Sequence, residues 1–210
     1  MNIIENKDAF ITLATKYIKR EGLDKLLAWL DRSGFYVCPA STQYNLSVEG
    51  GLCQHALNVA DTLVYRFFDK HIEDLTEEDE AKVFENDITI ESIILVALFS
   101  SINKVGCYVK DFKNVKVNGK WEQQEYWKWD EKFIYAGRGS KSVFIIQQYM
   151  KLWIEEAQAI AFVLAGEDNI FSGVVETTYR KIYENSRLAL YLHLAEMEST
   201  YLLDNLSLDT

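Results

Sequence analysis

The chain has 210 residues, 49% of them apolar, one proline and a formal net charge of -10 at pH 7. That length and composition fit one folded domain with a substantial core, and exclude disordered and fibrous classes. The acidic balance argues against general binding to phosphate backbones. Three cysteines, Cys38, Cys53 and Cys107, match no zinc spacing, and no secretory signal opens the chain, so reduced thiols and a cytoplasmic location are expected. The longest apolar run, residues 93–99, is too short to span a bilayer, so no membrane association is expected.

In chain order, Asn6 or Asp8 is a candidate cap for a first helix reaching about residue 19, with Phe10, Leu13, Ala14 and Tyr17 at helical spacing. A second helix is predicted over residues 23–32, stopped by Ser33-Gly34. Residues 35–49 hold the lone proline and many turn-formers, which reads as an ordered loop of the length that often carries function. Gly50-Gly51 then opens a long helix to about residue 70. His55, one of three histidines, lies on the flank of its apolar stripe, where a side chain can face a cavity. Residues 72–90 are strongly acidic and read as a solvated connection.

Residues 91–103 (ESIILVALFSSIN) are apolar all round before their two serines, the pattern of a central buried helix. Its end delivers Ser100, Ser101 and Lys104 to whatever lies beside it. The period then changes: YVKDFKNVKV, Asn118-Gly119 and KWEQQEYWKW predict a β-hairpin with a type I′ turn, an insertion over about residues 107–135. Trp121, Trp127 and Trp129 share one strand face, with Tyr126 on the other. Packing of this face on the helices is the expectation, and cover of a pocket mouth the alternative. In GRGSKSVFIIQQYMK a helix start is predicted, with Ser140 as its cap. Its free N–H groups, with Arg138 and Lys141, could instead hold an anion. A short helix over residues 154–164, a loop over 166–173 and one long final helix over 177–204 complete the chain. On the last helix Ala189, His193, Glu196 and Thr200 share a face.

Several stretches together resemble one family. PASTQYNLSVEGGLCQHALNVAD is similar to the segment leading into the first metal-binding histidine of HD-domain phosphohydrolases, in particular their YhaM-like bacterial and phage branch. ESIILVALFSSINKVGCY resembles the helix that carries their His-Asp pair. YAGRGSKSVFIIQQYMKLWIEEAQAI resembles their glycine-flanked histidine motif with the helices after it, and LYLHLAEMESTYLLD resembles the last helix with its metal-binding aspartate. The matches run in order over residues 36–204. The resemblance implies a mainly α fold, an HD-like helical bundle with a hairpin insertion, preceded by N-terminal helices over residues 1–35.

Carried over residue by residue, the family's ligands are mostly missing. His55 keeps the first histidine, while the His-Asp pair falls on Ser100 and Ser101. The motif histidine falls on Arg138, a further histidine near Val163, and the last aspartate on Glu196. Serine hydroxyls are weak neutral ligands, and a guanidinium repels a cation. Only His55 and Glu196 remain metal-competent, so no metal cofactor is expected. The leading expectation is therefore a catalytically inactive HD-fold protein. Its former site would gather His55, Ser100, Ser101, Lys104, Arg138, Lys141 and Glu196, with an Arg138–Glu196 pair in the metal's volume. In one version that cavity binds a nucleotide or another phosphorylated molecule through Lys104, Arg138 and Lys141. In the other, which is preferred, side chains fill the cavity and the chain acts as an interaction or structural subunit, with a protein partner or a second copy. The alternative from a different class is a rebuilt phosphohydrolase or nuclease, with His55 as general base, Arg138 and Lys141 as phosphate stabilisers, and Mn or Mg as its metal. Walker loops, dinucleotide fingerprints and nucleophile elbows do not occur.

Overall fold

The structure is a computed structural model that describes residues 2–43, 45–132, 137–164 and 175–204, the side chains of 175–177 apart. It is mainly helical, with one two-stranded antiparallel hairpin among the described residues. Helix α1 (Ile3–Tyr17) starts earlier than the sequence suggests, because the Asn2 side chain accepts from the Ile4 and Glu5 N–H groups. Asn6 lies inside α1, where its amide donates to Gln54 on a neighbouring helix (2.9 Å). Helix α2 (Leu23–Ser33) ends at Gly34, in the left-handed region. Helices α3 (Gly51–Phe68) and α5 (Ile90–Phe99) form the centre of the molecule.

Every residue of α5 except Glu91 is buried. From Ile93 to Phe99 the helix is apolar all round and has no face that gains from water, so it is surrounded: α1, α3, α7 (Ile154–Ala161) and α9 (Arg187–Glu198) all pack on it. The acidic stretch before α5 contains a short helix α4 (Glu77–Glu80), and it is less uniformly solvated than its composition implies. Asp79 is buried there, accepting from Thr76, Lys70 and Lys82.

Strands β1 (Tyr108–Val117) and β2 (Lys120–Trp129) are joined by Asn118-Gly119. Both turn residues have positive φ (50° and 84°), as a type I′ turn requires. The predicted insertion is thus observed over residues 108–129; its last residues, 133–135, lie outside the described residues. The expectation that the hairpin packs on the helices holds only at its base. Phe112 and Trp121 are 59% and 71% exposed, and Trp129 meets Tyr108 edge to face at 5.1 Å.

Helix α6 (Arg138–Gln147) begins at Arg138 after Gly137, so Ser140 lies within the helix and does not cap it. Gly139 is required by packing: a Cβ there would stand 2.2 Å from the Ile160 carbonyl oxygen of α7. The predicted loop over residues 166–173 lies outside the described residues. The final segment is two helices, not one. Helix α8 (Val175–Asn185) ends before Ser186, whose extended backbone and hydroxyl, accepting from the Ala189 N–H (3.0 Å), start α9 afresh. After α9 the chain makes a π-helical turn, Ser199–Leu203, which sets the position of Asp204. No helix among the described residues is long and apolar enough to cross a membrane.

Candidate functional site

Three stretches meet at the start of α3. The loop over residues 38–50 folds back on itself through the Ala40 N–H to Leu46 carbonyl bond (3.0 Å). Leu46, at φ 47°, turns its own N–H to the carbonyl of Asp204 (3.1 Å). The loop lies so close to α3 that a Cβ on Gly51 would sit 2.1 Å from the Leu46 carbonyl oxygen. The second glycine of the Gly50-Gly51 pair therefore allows loop, helix start and chain end to be joined.

His55 stands one turn into α3 and is fully buried between two carboxylates. Its Nδ1 is 2.6 Å from Asp204 Oδ2, and its Nε2 is 3.0 and 3.1 Å from the two oxygens of Glu196. Asn58, on the same helix, donates to the other Asp204 oxygen (2.7 Å). Ser101 completes the cluster, with its Oγ 3.4 Å from both His55 Nε2 and Glu196 Oε1. Burial opposes a charged imidazole most strongly. The Glu196 charge, with the bonds to Asp204 and Glu196, outweighs burial and the repulsion from Lys104 together, and raises the His55 pKa to about 9. The same contacts act on Glu196. Burial alone would raise its pKa, but the His55 charge, the His55 hydrogen bond and Lys104 together lower it. At neutral pH the group is an imidazolium donating one N–H to each carboxylate.

Beside this triad opens a cavity of about 310 Å³. Asp204, Glu196 and His55 form its floor. Tyr108 and Trp129, from the base of the hairpin, form an aromatic wall, and Arg138 lies over the Trp129 ring at 5.4 Å. The pocket-mouth alternative for the tryptophan face thus describes Trp129, though not the exposed Trp121. Ser41, Thr42, Asn45 and Thr200 add hydroxyl and amide groups. His193 lines the cavity too, with Nδ1 on the Val163 carbonyl (2.8 Å) and its ring stacked on Tyr183. Lys104 lines it from the 3-10 turn that follows α5, and its ammonium makes no hydrogen bond or ion pair with a described residue.

Of the seven sequence-derived candidates, His55, Ser101, Glu196, Lys104 and Arg138 converge here. Ser100 does not: its hydroxyl turns back to the Ala97 carbonyl of its own helix (3.3 Å). Lys141 does not line the cavity either. It is buried against Glu131 (2.8 Å) and the Cys107 thiol (3.0 Å), where it fastens the exit of the hairpin to α6. Glu196 is met by the His55 imidazole of α3 (3.0 Å), and the Arg138 guanidinium lies over the Trp129 ring. Sequence reading missed Asp204, Asn58, Tyr108 and His193 as site residues. The shared face of His193, Glu196 and Thr200 was the available signal for the last of these.

The donor set does not fit a divalent metal. Among the described residues no three His, Cys, Asp or Glu side chains group to hold one. The positions that the HD resemblance would fill with further ligands are a serine turned away, a serine hydroxyl, a guanidinium and Val163, whose carbonyl is taken by His193. Lys104 adds positive charge where a cation would sit. Ser101, His55 and Asp204 resemble a nucleophile, base and orienting acid in outline. Glu196 nevertheless occupies the imidazole nitrogen such a base would use, and the raised His55 pKa keeps that nitrogen protonated. The arrangement can hold an anion beside a polarised, closed ion cluster, and it can present an aromatic wall to a planar group. A scan of protein-family models, a search of curated proteins and a search of solved structures each found no match for this chain.

Proposed function

We propose that the chain is a catalytically inactive protein of the HD-phosphohydrolase type that binds a small phosphorylated ligand of mononucleotide size. The observation that carries this reading is the pairing of a closed Asp204–His55–Glu196 triad with an open cavity lined by Lys104. Where the resemblance would have a metal centre, an internal cation, the His55 imidazolium, sits between the carboxylates. The volume left beside it is at the small end of the range for ligand pockets, which suits one nucleotide better than a polymer. Lys104 and Arg138 would face the phosphate, the Tyr108–Trp129 wall would stack on a planar base, and Thr42, Asn45 and Thr200 would meet sugar hydroxyls. The open volume favours ligand binding over the version in which side chains fill the cavity. The rebuilt-hydrolase reading loses support from two directions: His55 is held protonated, and Lys141 lies outside the cavity.

The test is a thermal-shift series with nucleoside 5′-monophosphates and inorganic phosphate, on the wild type and on Lys104→Ala. A rise in Tm with at least one nucleotide, lost in Lys104→Ala, is the expected result. A flat series, or a rise that Lys104→Ala leaves intact, contradicts the reading. So does turnover of these nucleotides with Mn²⁺ or Mg²⁺ that disappears in His55→Ala.

A further inference from the structure

The hairpin poses a physical problem that the helical body does not solve. A two-stranded ribbon alone in water is marginal; a third strand or a packed face is what stabilises it. Here the strands are ten residues long and meet the body mainly at their base, while Val109, Phe112, Val117 and Trp121 remain exposed. The outer edge of β1 has no strand beside it among the described residues. Val117 and Lys120 flank a two-residue turn, so odd-numbered residues of β1 bond to β2 and even-numbered ones point their N–H and C=O outward. The Phe112 N–H agrees with this: it is met by the side chain of Asp111 (2.8 Å), not by β2.

We propose that this edge pairs antiparallel with β1 of a second copy, about a two-fold axis at Phe112, giving a four-stranded sheet. The strand is self-complementary about that residue. Asp111 faces Lys113 of the partner subunit, and Lys113 faces the partner subunit's Asp111. Val109 faces Val115 of the partner subunit, and the two Phe112 residues face each other at the centre. Moving the axis two residues either way removes both Asp–Lys pairs. Opposite charges directly across a ladder stabilise it and like charges destabilise it, so charge selects this register. Charge also selects the hairpin as the place of contact. Residues 108–129 carry five lysines against three carboxylates, in a chain of net charge -10. The contact is thereby spared acid–acid repulsion, and the Asp111–Lys113 pairs offset the like charge of the two hairpins. The Asp111 carboxylate, which in one copy covers the Phe112 N–H with one oxygen and meets Lys128 of its own hairpin at 3.5 Å with the other, turns its first oxygen to the ammonium of Lys113 of the partner subunit as the main-chain bond takes its place.

The experiment is sedimentation velocity of the full chain over a concentration series, with two charge variants. The wild type is expected to show a reversible dimer. Lys113→Glu, which sets two carboxylates opposite at both pairs, weakens it about tenfold or more, and the double swap Asp111→Lys with Lys113→Glu restores it. Independently, Phe112→Cys is expected to cross-link to itself on mild oxidation, since residues facing across such a bonded pair stand about 5.5 Å apart at Cα, within disulfide reach. The three native cysteines are buried and do not interfere. Val115→Cys, which faces position 109, is not expected to self-link. A monomer at every concentration overturns the proposal. So does a dimer that is indifferent to Lys113→Glu and leaves Phe112→Cys uncross-linked. Neither result bears on ligand binding in the cavity.

Discussion

Replacing His55 by alanine removes the imidazolium that lies between two buried carboxylates. In the folded chain the His55 pKa is raised from 6.5 to about 9, which corresponds to about 3 kcal/mol of stabilisation of the charged form. The Glu196 shift is the other side of the same contact and is not added to it. The sign follows from the two directions. A raised His55 pKa means its contribution is full below pH 6.5 and is lost as pH rises through about 9. A lowered Glu196 pKa means its contribution is full above pH 4.5 and is lost as pH falls toward its folded value. The triad therefore stabilises most between pH 4.5 and 6.5. In His55→Ala, Glu196 and Asp204 lose the imidazolium between them and Glu196 keeps only the charge of Lys104 from across the cavity; breaking a buried pair in this way costs about 3–5 kcal/mol. Urea unfolding at pH 5.5, 7.5 and 9.5 measures both effects. The wild type should lose its advantage over His55→Ala progressively toward pH 9.5, with the largest gap at pH 5.5. A difference between the two proteins that stays flat across the series would refute the reasoning.

Further outcomes follow from other contacts. Gly51→Ala puts a Cβ 2.1 Å from the Leu46 carbonyl oxygen, so the loop must move off α3; it should unfold at lower urea and lose any nucleotide-induced rise in Tm. Glu156→Ala leaves half-buried Arg20 without its two-pronged carboxylate partner (2.6 and 2.6 Å), with Glu91 at 3.6 Å as the carboxylate that remains, and should cost about 1.5–3 kcal/mol in the same assay. Lys104→Ala removes a charge that lowers the His55 pKa, so the alkaline loss of stability should move to higher pH.

The parts of the fold set by local chemistry were legible in the sequence. Asn118-Gly119 between alternating runs is enough for the hairpin and its turn type, and the apolar run of α5 is enough for a central helix. His55 was legible as a rare residue on the flank of an apolar stripe, and Glu196 as the position on which the HD resemblance sets its last aspartate. Asp204 was not. Under a 3.6-residue period, positions eight apart on a helix point about 80° apart, so Asp204 falls out of phase with Glu196. The π-helical turn Ser199–Leu203 changes that phase, and nothing in STYLL announces it. Lys141 was misplaced for a different reason. A basic residue at a glycine-rich helix start suits an anion site, but the carboxylate that captures it, Glu131, comes from the far end of a hairpin whose path the sequence does not give. The break at Ser186 was readable: a serine before an apolar helical run is a start signal that the long periodic stretch concealed.

His55 acts as the charged centre of a closed triad and not as a free base. A ¹⁵N NMR titration of its imidazole tests this directly. Both ring nitrogens should carry protons at pH 7.5, with a titration midpoint near the raised value of about 9. An imidazole that is neutral at pH 7.5 and titrates at or below 6.5 would contradict the account, and would restore His55 as a base available for hydrolysis.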